Sequence, residues 1–163
     1  MKLLLASITL LLSITSFADS LEKHIFNGIE RPYTLRKLGM GGASMAAYTK
    51  ARIQGERGTT YGDPIFIFKN AFQADPKIKS SKFDFLIGYK TTGLPLAVNV
   101  VKTYRIPAAE AISFEFSGMK KELFQKVFKL MMDHKDLLTG EVRVEAKSSS
   151  LYTIKAKVHL IKK

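Results

Sequence analysis

Several strand-like stretches of this chain alternate apolar side chains with charged ones, and alternation decides which of them share a face. In "AISFEFSG" Ile112, Phe114 and Phe116 fall on one side and Ser113, Glu115 and Ser117 on the other. In "EVRVEAK" Val142 and Val144 leave Glu141, Arg143 and Glu145 opposite them. In "PIFIFK" Ile65 and Ile67 leave Phe66 and Phe68, and in the last stretch Lys155, Lys157 and His159 oppose Ala156, Val158 and Leu160. If helices cover the aliphatic faces, Phe66, Phe68, Glu115, Arg143 and Glu145 meet on the far face and line one cleft. Aromatic rings supply contact area and a few charges supply selectivity, which is the chemistry of a small-molecule site. In a closed cleft Arg143 needs Glu115 or Glu145 as its partner, because a lone buried charge is costly. On an open sheet the same charges would be an ordinary solvated face.

Other reactive chemistry is thinly represented. There is no Cys, which excludes a thiol nucleophile, a disulfide framework and a lipoprotein anchor. There is no G-x-S-x-G nucleophile motif. His24, His134 and His159 lack metal-ligand spacing and read as surface histidines, so neither metal nor cofactor is implied. "GMGGAS" (39–44) lacks the full G-x-G-x-x-G pattern of a dinucleotide loop and reads as a strand-to-helix junction.

The first residues, "MKLLLASITLLLSITSFADS", place Lys2 before an apolar run from Leu3 to Ile14, then Ser16-Phe17-Ala18. That is a secretory signal peptide cleaved after Ala18, because the run is shorter than the ~20 residues of a membrane span. The remainder, 19–163, suits one domain with its own core, and no other stretch is apolar and long enough to span a membrane. The formal charge is +12, falling by one when Lys2 leaves. A chain this basic is attracted to anionic envelope surfaces, although the cations are spread along it without a charged tail.

The elements that position the candidate residues are read from periodicity and punctuation. A polar lead-in over 19–31 carries a short strand near His24–Phe26. Tyr33–Leu38 reads as a strand and 43–54 as a helix, separated by Gly39, Gly41 and Gly42. Strands follow at 65–69 and 83–90, with a loop around 73–81 between them. An extended stretch at 96–106 stops at Pro107. A strand at 110–117 leads into a long helix at 119–138, with Leu123, Phe124, Val127, Phe128, Leu130 and Met131 as its apolar stripe. Strands at 141–147 and 151–161 close the chain. Both halves thus read strand, Gly-Met, helix, strand, strand. Gly39 and Gly118 are 79 residues apart and Ile65 and Val142 77 apart, as a duplication with small loop changes gives. The expected fold is α+β: two strand–helix–strand–strand modules, about 25–92 and 96–163, related by a pseudo-twofold axis. Antiparallel sheets would carry helices on one face, with a central cleft.

The second half, "VVKTYRIPAAEAISFEFSGMKKELFQKVFKLMMDH" followed by "GEVRVEAKSSSLYTIKAKVHLIKK", resembles the GyrI-like family within the SOUL-related superfamily. This is the effector-binding domain attached to many bacterial transcription activators. "GDPIFIFKN" is similar to the family's Gly-x-Pro-aromatic strand, and the resemblance covers about 30–163. It implies a ligand cleft on the face away from the helices, binding small, often cationic or aromatic, molecules. Some relatives are hydrolases and some inhibit a protein. The family usually carries a carboxylate on the strand at 141–147, in an acidic-apolar-aromatic pattern. Here Arg143 stands at the acidic position and Glu145 at the aromatic one, which argues for an anionic ligand or a decayed site unless a register shift restores Glu141 or Glu145. There is no room for a DNA-binding domain, and an exported chain does not regulate transcription.

The first expectation is therefore an exported small-molecule-binding protein. The alternatives are a hydrolase with Glu115 or Glu145 as base, and a basic protein bound to anionic envelope surfaces. Mass spectrometry of the exported protein should find Asp19 at the N-terminus. An intact leader in the membrane fraction would contradict the export reading.

Overall fold

The computed structural model describes residues 17–55, 58–73, 82–92 and 100–163. The expected loop at 74–81 and the start of the extended stretch at 96–106 lie outside them, as do residues 1–16 of the expected leader. In chain order the elements are β1 (Phe17–Leu21), β2 (His24–Thr34), α1 (Leu35–Gly55), β3 (Tyr61–Phe68), β4 (Lys82–Lys90), β5 (Lys102–Ile106), β6 (Ala109–Met119), α2 (Lys120–Asp133), β7 (Leu138–Ser149) and β8 (Thr153–Lys162). All eight strands form one antiparallel sheet in the order β1-β6-β8-β7-β3-β4-β2-β5.

That order forces the sheet to curl. β1 and β2 stand six positions apart yet are joined by two residues, Glu22 and Lys23. A flat sheet would separate them by about 29 Å at ~4.8 Å per strand. The chain from Leu21 to His24 reaches at most about 11 Å. β5 and β6 are also six positions apart and joined by two residues, Pro107 and Ala108. Leu21 pairs with Ala109 and His24 with Ile106, so the two links run side by side across the gap. The result is a curled half-barrel with the helices outside it.

Each face has its own core. On the helix side Phe66, Phe85, Ile87, Val144, Val158 and Leu160 belong to one large apolar cluster. α1 packs there through Ala46 and Ile53, and α2 through Leu123 and Met131, with Phe124, Val127 and Leu130 partly buried beside them. Burying each large apolar side chain contributes about 1.5–3 kcal/mol. Inside the curl Phe26, Ile65, Ile67, Leu86 and Ile106 form a second cluster.

Several boundaries differ from the sequence reading. The strand expected at 33–38 is instead β2 at His24–Thr34, and Leu35 already begins α1. Gly39, Gly41 and Gly42 are helical rather than a junction. Tertiary packing of Ala46, Thr49 and Ile53, all buried at helical spacing, outweighs their cost of roughly 1 kcal/mol each in a helix. Pro32 is tolerated because β5 pairs only with 24–28, leaving that end of β2 with β4 alone. α2 ends at Asp133 rather than 138; the His134 N–H closes its last turn on the Leu130 carbonyl at 3.1 Å. Its start is fixed by Glu122, whose carboxylate accepts the Met119 N–H at 3.2 Å.

Where β2 meets β4 the backbones come close. Gly28 pairs with Gly88, and a Cβ on Gly88 would lie 2.0 Å from the Asn27 carbonyl oxygen. A Cβ on Gly42 would meet nothing nearer than 3.9 Å. Gly88→Ala should therefore destabilise by about 3 kcal/mol. Gly42→Ala should not destabilise, since it gains helix propensity. Urea denaturation of the two variants checks this ordering.

Candidate functional site

Among the described residues the sheet presents a cavity on each face. The first lies on the helix side, between α1, α2 and the sheet. It is small, about 40 Å³, and lined by Phe66, Phe68, Phe124, Leu123, Gly42 and Lys120. Lys120 is buried, and burial holds its ammonium pKa below the ordinary lysine value. The second lies inside the curl and measures about 390 Å³. Its floor is Ile65, Arg143, Glu145 and His159 from the middle strands, and its rim is the Ser20–His24 link with Lys90 and Tyr61.

Strand register assembles the floor. β3 pairs with β7 and β7 with β8, so Ile67, Arg143, His159 and Ser113 form one cross-strand row. Ile65, Glu145, Lys157 and Glu115 form the next. Directly opposed residues share a face, so both rows point into the curl.

The five residues expected in one cleft are divided by the structure. Arg143 and Glu145 do line the interior cleft. Phe66 and Phe68 do not: they lie on the opposite face, in the helix-side core, stacked on Phe85 at 6.1 and 5.8 Å between ring centroids. Their pairing with Val144 and Val142 puts them there. The phase of β3 is the reverse of the expected one, and Ile65 and Ile67 face the cleft side. The stretch "IFIF" has no polar residue to mark its outer face. A register shift between Tyr61 and Ile65, beside Gly62 at φ +74°, resets the alternation that enters it. Glu115 has the expected orientation but is exposed away from the cleft, where its carboxylate accepts from Lys147 Nζ at 2.9 Å. That contact, first, holds its pKa below the usual carboxylate value.

Arg143 is buried but not alone. Its Nε donates to Glu141 Oε1 at 2.6 Å, and an Nη1 hydrogen reaches the Pro107 carbonyl at 3.4 Å across the curl. The partner is thus Glu141 rather than Glu115 or Glu145. Glu145 instead faces Lys90 at 3.4 Å.

The sequence reading passed over two residues. His159 is 3% exposed and His24 half-buried, and both line the cleft. His24 Nδ1 donates to the Glu22 carbonyl at 3.3 Å. His159 Nδ1 lies 2.6 Å from Ser113 Oγ. Asp19, whose pKa is lowered first by Lys157 and then by the Ser113 hydroxyl, accepts a hydrogen bond from that hydroxyl, which leaves Ser113 Oγ to accept from Nδ1–H of His159. Both rings therefore carry their proton on Nδ1. Each Nε2 is buried without a hydrogen-bond partner, and that of His159 is 4.0 Å from Glu145. Alternation along β8 had already put His159 on the cleft side; His24 was hidden because nothing local shows that β2 faces β7 across the curl. Among the described residues no group of three His, Asp or Glu could hold a metal ion.

No protein-family model matches the sequence, and no curated protein matches it. Solved structures do. The chain is similar to SAV2435, solved bound to tetraphenylphosphonium, with TM-score 0.63 and 9% identity over 91% of this chain and 93% of that one. It is similar to the EcmrR C-terminal domain, with TM-score 0.66 and 14% identity over 93% of this chain and 99% of that one. It is also similar to the EcmrR chain of an EcmrR–DNA complex, with TM-score 0.70 and 11% identity over 91% of this chain; there it spans 57% of the longer chain. At these identities the likeness is one of fold, and it agrees with the GyrI-like resemblance at that level.

Burial holds the pKa of both cleft histidines below the ordinary 6.5, His24 with a smaller opposing pull from the Glu22 carbonyl and His159 with one from Glu145. The unfolded chain takes up protons near that value that the folded chain refuses, so their contribution is present above about pH 6.5 and falls as pH drops through it. The urea midpoint should be lower at about pH 5.5 than at about pH 7.5, with a smaller fall in His24→Gln. Equal midpoints would contradict neutral burial.

Proposed function

We propose that the protein binds a small organic molecule in the cleft inside the curled sheet. One observation carries the reading: a cavity of about 390 Å³ whose floor contains two buried, hydrogen-bonding side chains, Arg143 and His159. A volume in the range of ligand pockets with a few fixed polar groups suits a binding site. The fold shared with SAV2435, solved with a small organic cation, supports the same reading. The cation itself does not transfer, because Arg143 stands where the resemblance implies an acid. The helix-side cavity, at about 40 Å³, holds no ligand without movement of α1 or α2.

The binding takes place after export, on the strength of the leader at 1–18, and it accompanies no catalysis. A hydrolase would need a carboxylate free to act as base or a nucleophile open to the cleft; Glu145 is engaged by Lys90 at 3.4 Å, and Glu115 lies outside the lining, paired with Lys147. Ser113 is hydrogen-bonded to His159, but it is buried and outside the cleft lining. The cleft sits where two modules of the same layout meet. β2-α1-β3-β4 and β6-α2-β7-β8 each place the last strand between the other two, and β3 pairs with β7 at the centre. That order supports duplication of one unit.

A thermal-shift screen of small organic molecules tests the site. Arg143→Met should fold, because an apolar chain of similar length fills the buried site and Glu141, about a third exposed, keeps its charge in contact with water, and it should lose the hits. Gly42→Met, which fills the helix-side cavity, should keep them. Hits lost in Gly42→Met and kept in Arg143→Met would place the ligand under the helices and overturn the reading.

A further inference from the structure

Charge and hydrogen bonding inside the cleft point to the class of molecule it takes. Its two inner cations are matched: Arg143 by Glu141 and Lys90 by Glu145. The other two charged lining residues, Glu22 and Lys23, are of opposite sign and exposed at the rim, so a charged ligand would find no unmatched counter-charge at the floor. The cleft-lining groups left unsatisfied are acceptors. His24 Nε2 and His159 Nε2 both belong to cleft-lining residues, both are screened from water, and neither has a partner. A buried acceptor without a donor is costly, and a ligand that supplies the donor recovers that cost.

Resting on the binding reading above, we infer that the cleft selects neutral molecules bearing N–H or O–H donors, received by the Nε2 atoms of His24 and His159. The tautomers are set from behind. The Glu22 carbonyl can only accept, so His24 keeps its proton on Nδ1. The Ser113 hydroxyl donates to the Asp19 carboxylate, so Ser113 Oγ accepts from His159 Nδ1. Each ring is thereby left with Nε2 as its acceptor, on a residue that lines the cleft. Burial keeps both rings neutral, which preserves the lone pairs. Both Nε2 atoms are covered, so a ligand reaches them by rearrangement of cleft-lining side chains, with the Glu22 carbonyl still holding His24 Nδ1.

Three probes of one shape separate the possibilities: benzamide, a neutral donor; benzamidine, a cationic donor; and benzoate, an anionic acceptor. Binding to the whole protein is followed by long-range nitrogen–proton spectra of the histidine rings. Benzamide should bind about tenfold more tightly than either ion, a difference on the scale of one net hydrogen bond, and should move the Nε2 signals of His24 and His159. His159→Phe should weaken benzamide about tenfold while Gly42→Met leaves it unchanged. If His159→Phe does not fold, His24→Phe reports the same loss. Tightest binding of benzoate or benzamidine overturns the ligand class but leaves the site standing. Benzamide binding that leaves both Nε2 signals in place overturns the histidine assignment. Binding of none of the three overturns the class and the site reading together.

Discussion

Two two-residue links determine the shape of this protein. Glu22–Lys23 and Pro107–Ala108 each join strands that lie six positions apart in the sheet. A chain that short cannot cross a flat eight-stranded sheet, so the sheet bends until its ends nearly meet. Everything functional follows from the bend. It gives the sheet an inside, brings His24 over the strands that carry Arg143 and His159, and lets Arg143 reach the Pro107 carbonyl. The outer face is then free for both helices, whose apolar residues complete the larger core. The Gly28–Gly88 pair supplies the close backbone approach that the curl needs between β2 and β4.

The interior is divided between apolar and polar halves. Phe26, Ile67, Leu86 and Ile106 fill the side nearer β2 and β4. Arg143 with Glu141, His159 with Ser113 and Lys157 with Asp19 form hydrogen-bonded or ionic pairs on the side nearer β6 and β8. Buried polar groups are affordable only when satisfied, and two cleft-lining residues, His24 and His159, each keep an Nε2 without a partner. In the proposed binding mode, a ligand with an apolar body and a polar end would occupy the opening between the two halves. Placing an arginine where the family resemblance implies an acid changes the charge logic of the cleft, and Glu141 two residues away then cancels the change.

Much of the architecture was legible from the order of residues. α2 was found because its apolar positions recur at helical spacing against lysines, and β6, β7 and β8 because charged and apolar residues strictly alternate. That alternation correctly turned Arg143, Glu145 and His159 to one face. It failed in β3, where "IFIF" is apolar on both faces and both faces are buried, so only the pairing with β7 reveals the phase. α1 was cut short because three glycines weaken its local signal while its packing partners are distant in sequence. The Pro107–Ala108 step reads locally as a bend between neighbouring strands; that it joins the two sides of a curl is a property of the whole sheet.

The central claim is that the inside of the curl is where this protein meets its ligand. The most direct measurement is a crystal structure with the compound that most raises the melting temperature. The account predicts a ligand within hydrogen-bond distance of His159 Nε2, seated over Ile65 and Arg143 and beneath the Glu22–Lys23 link. A ligand found between α1 and α2, against Phe66 and Phe124, would contradict it.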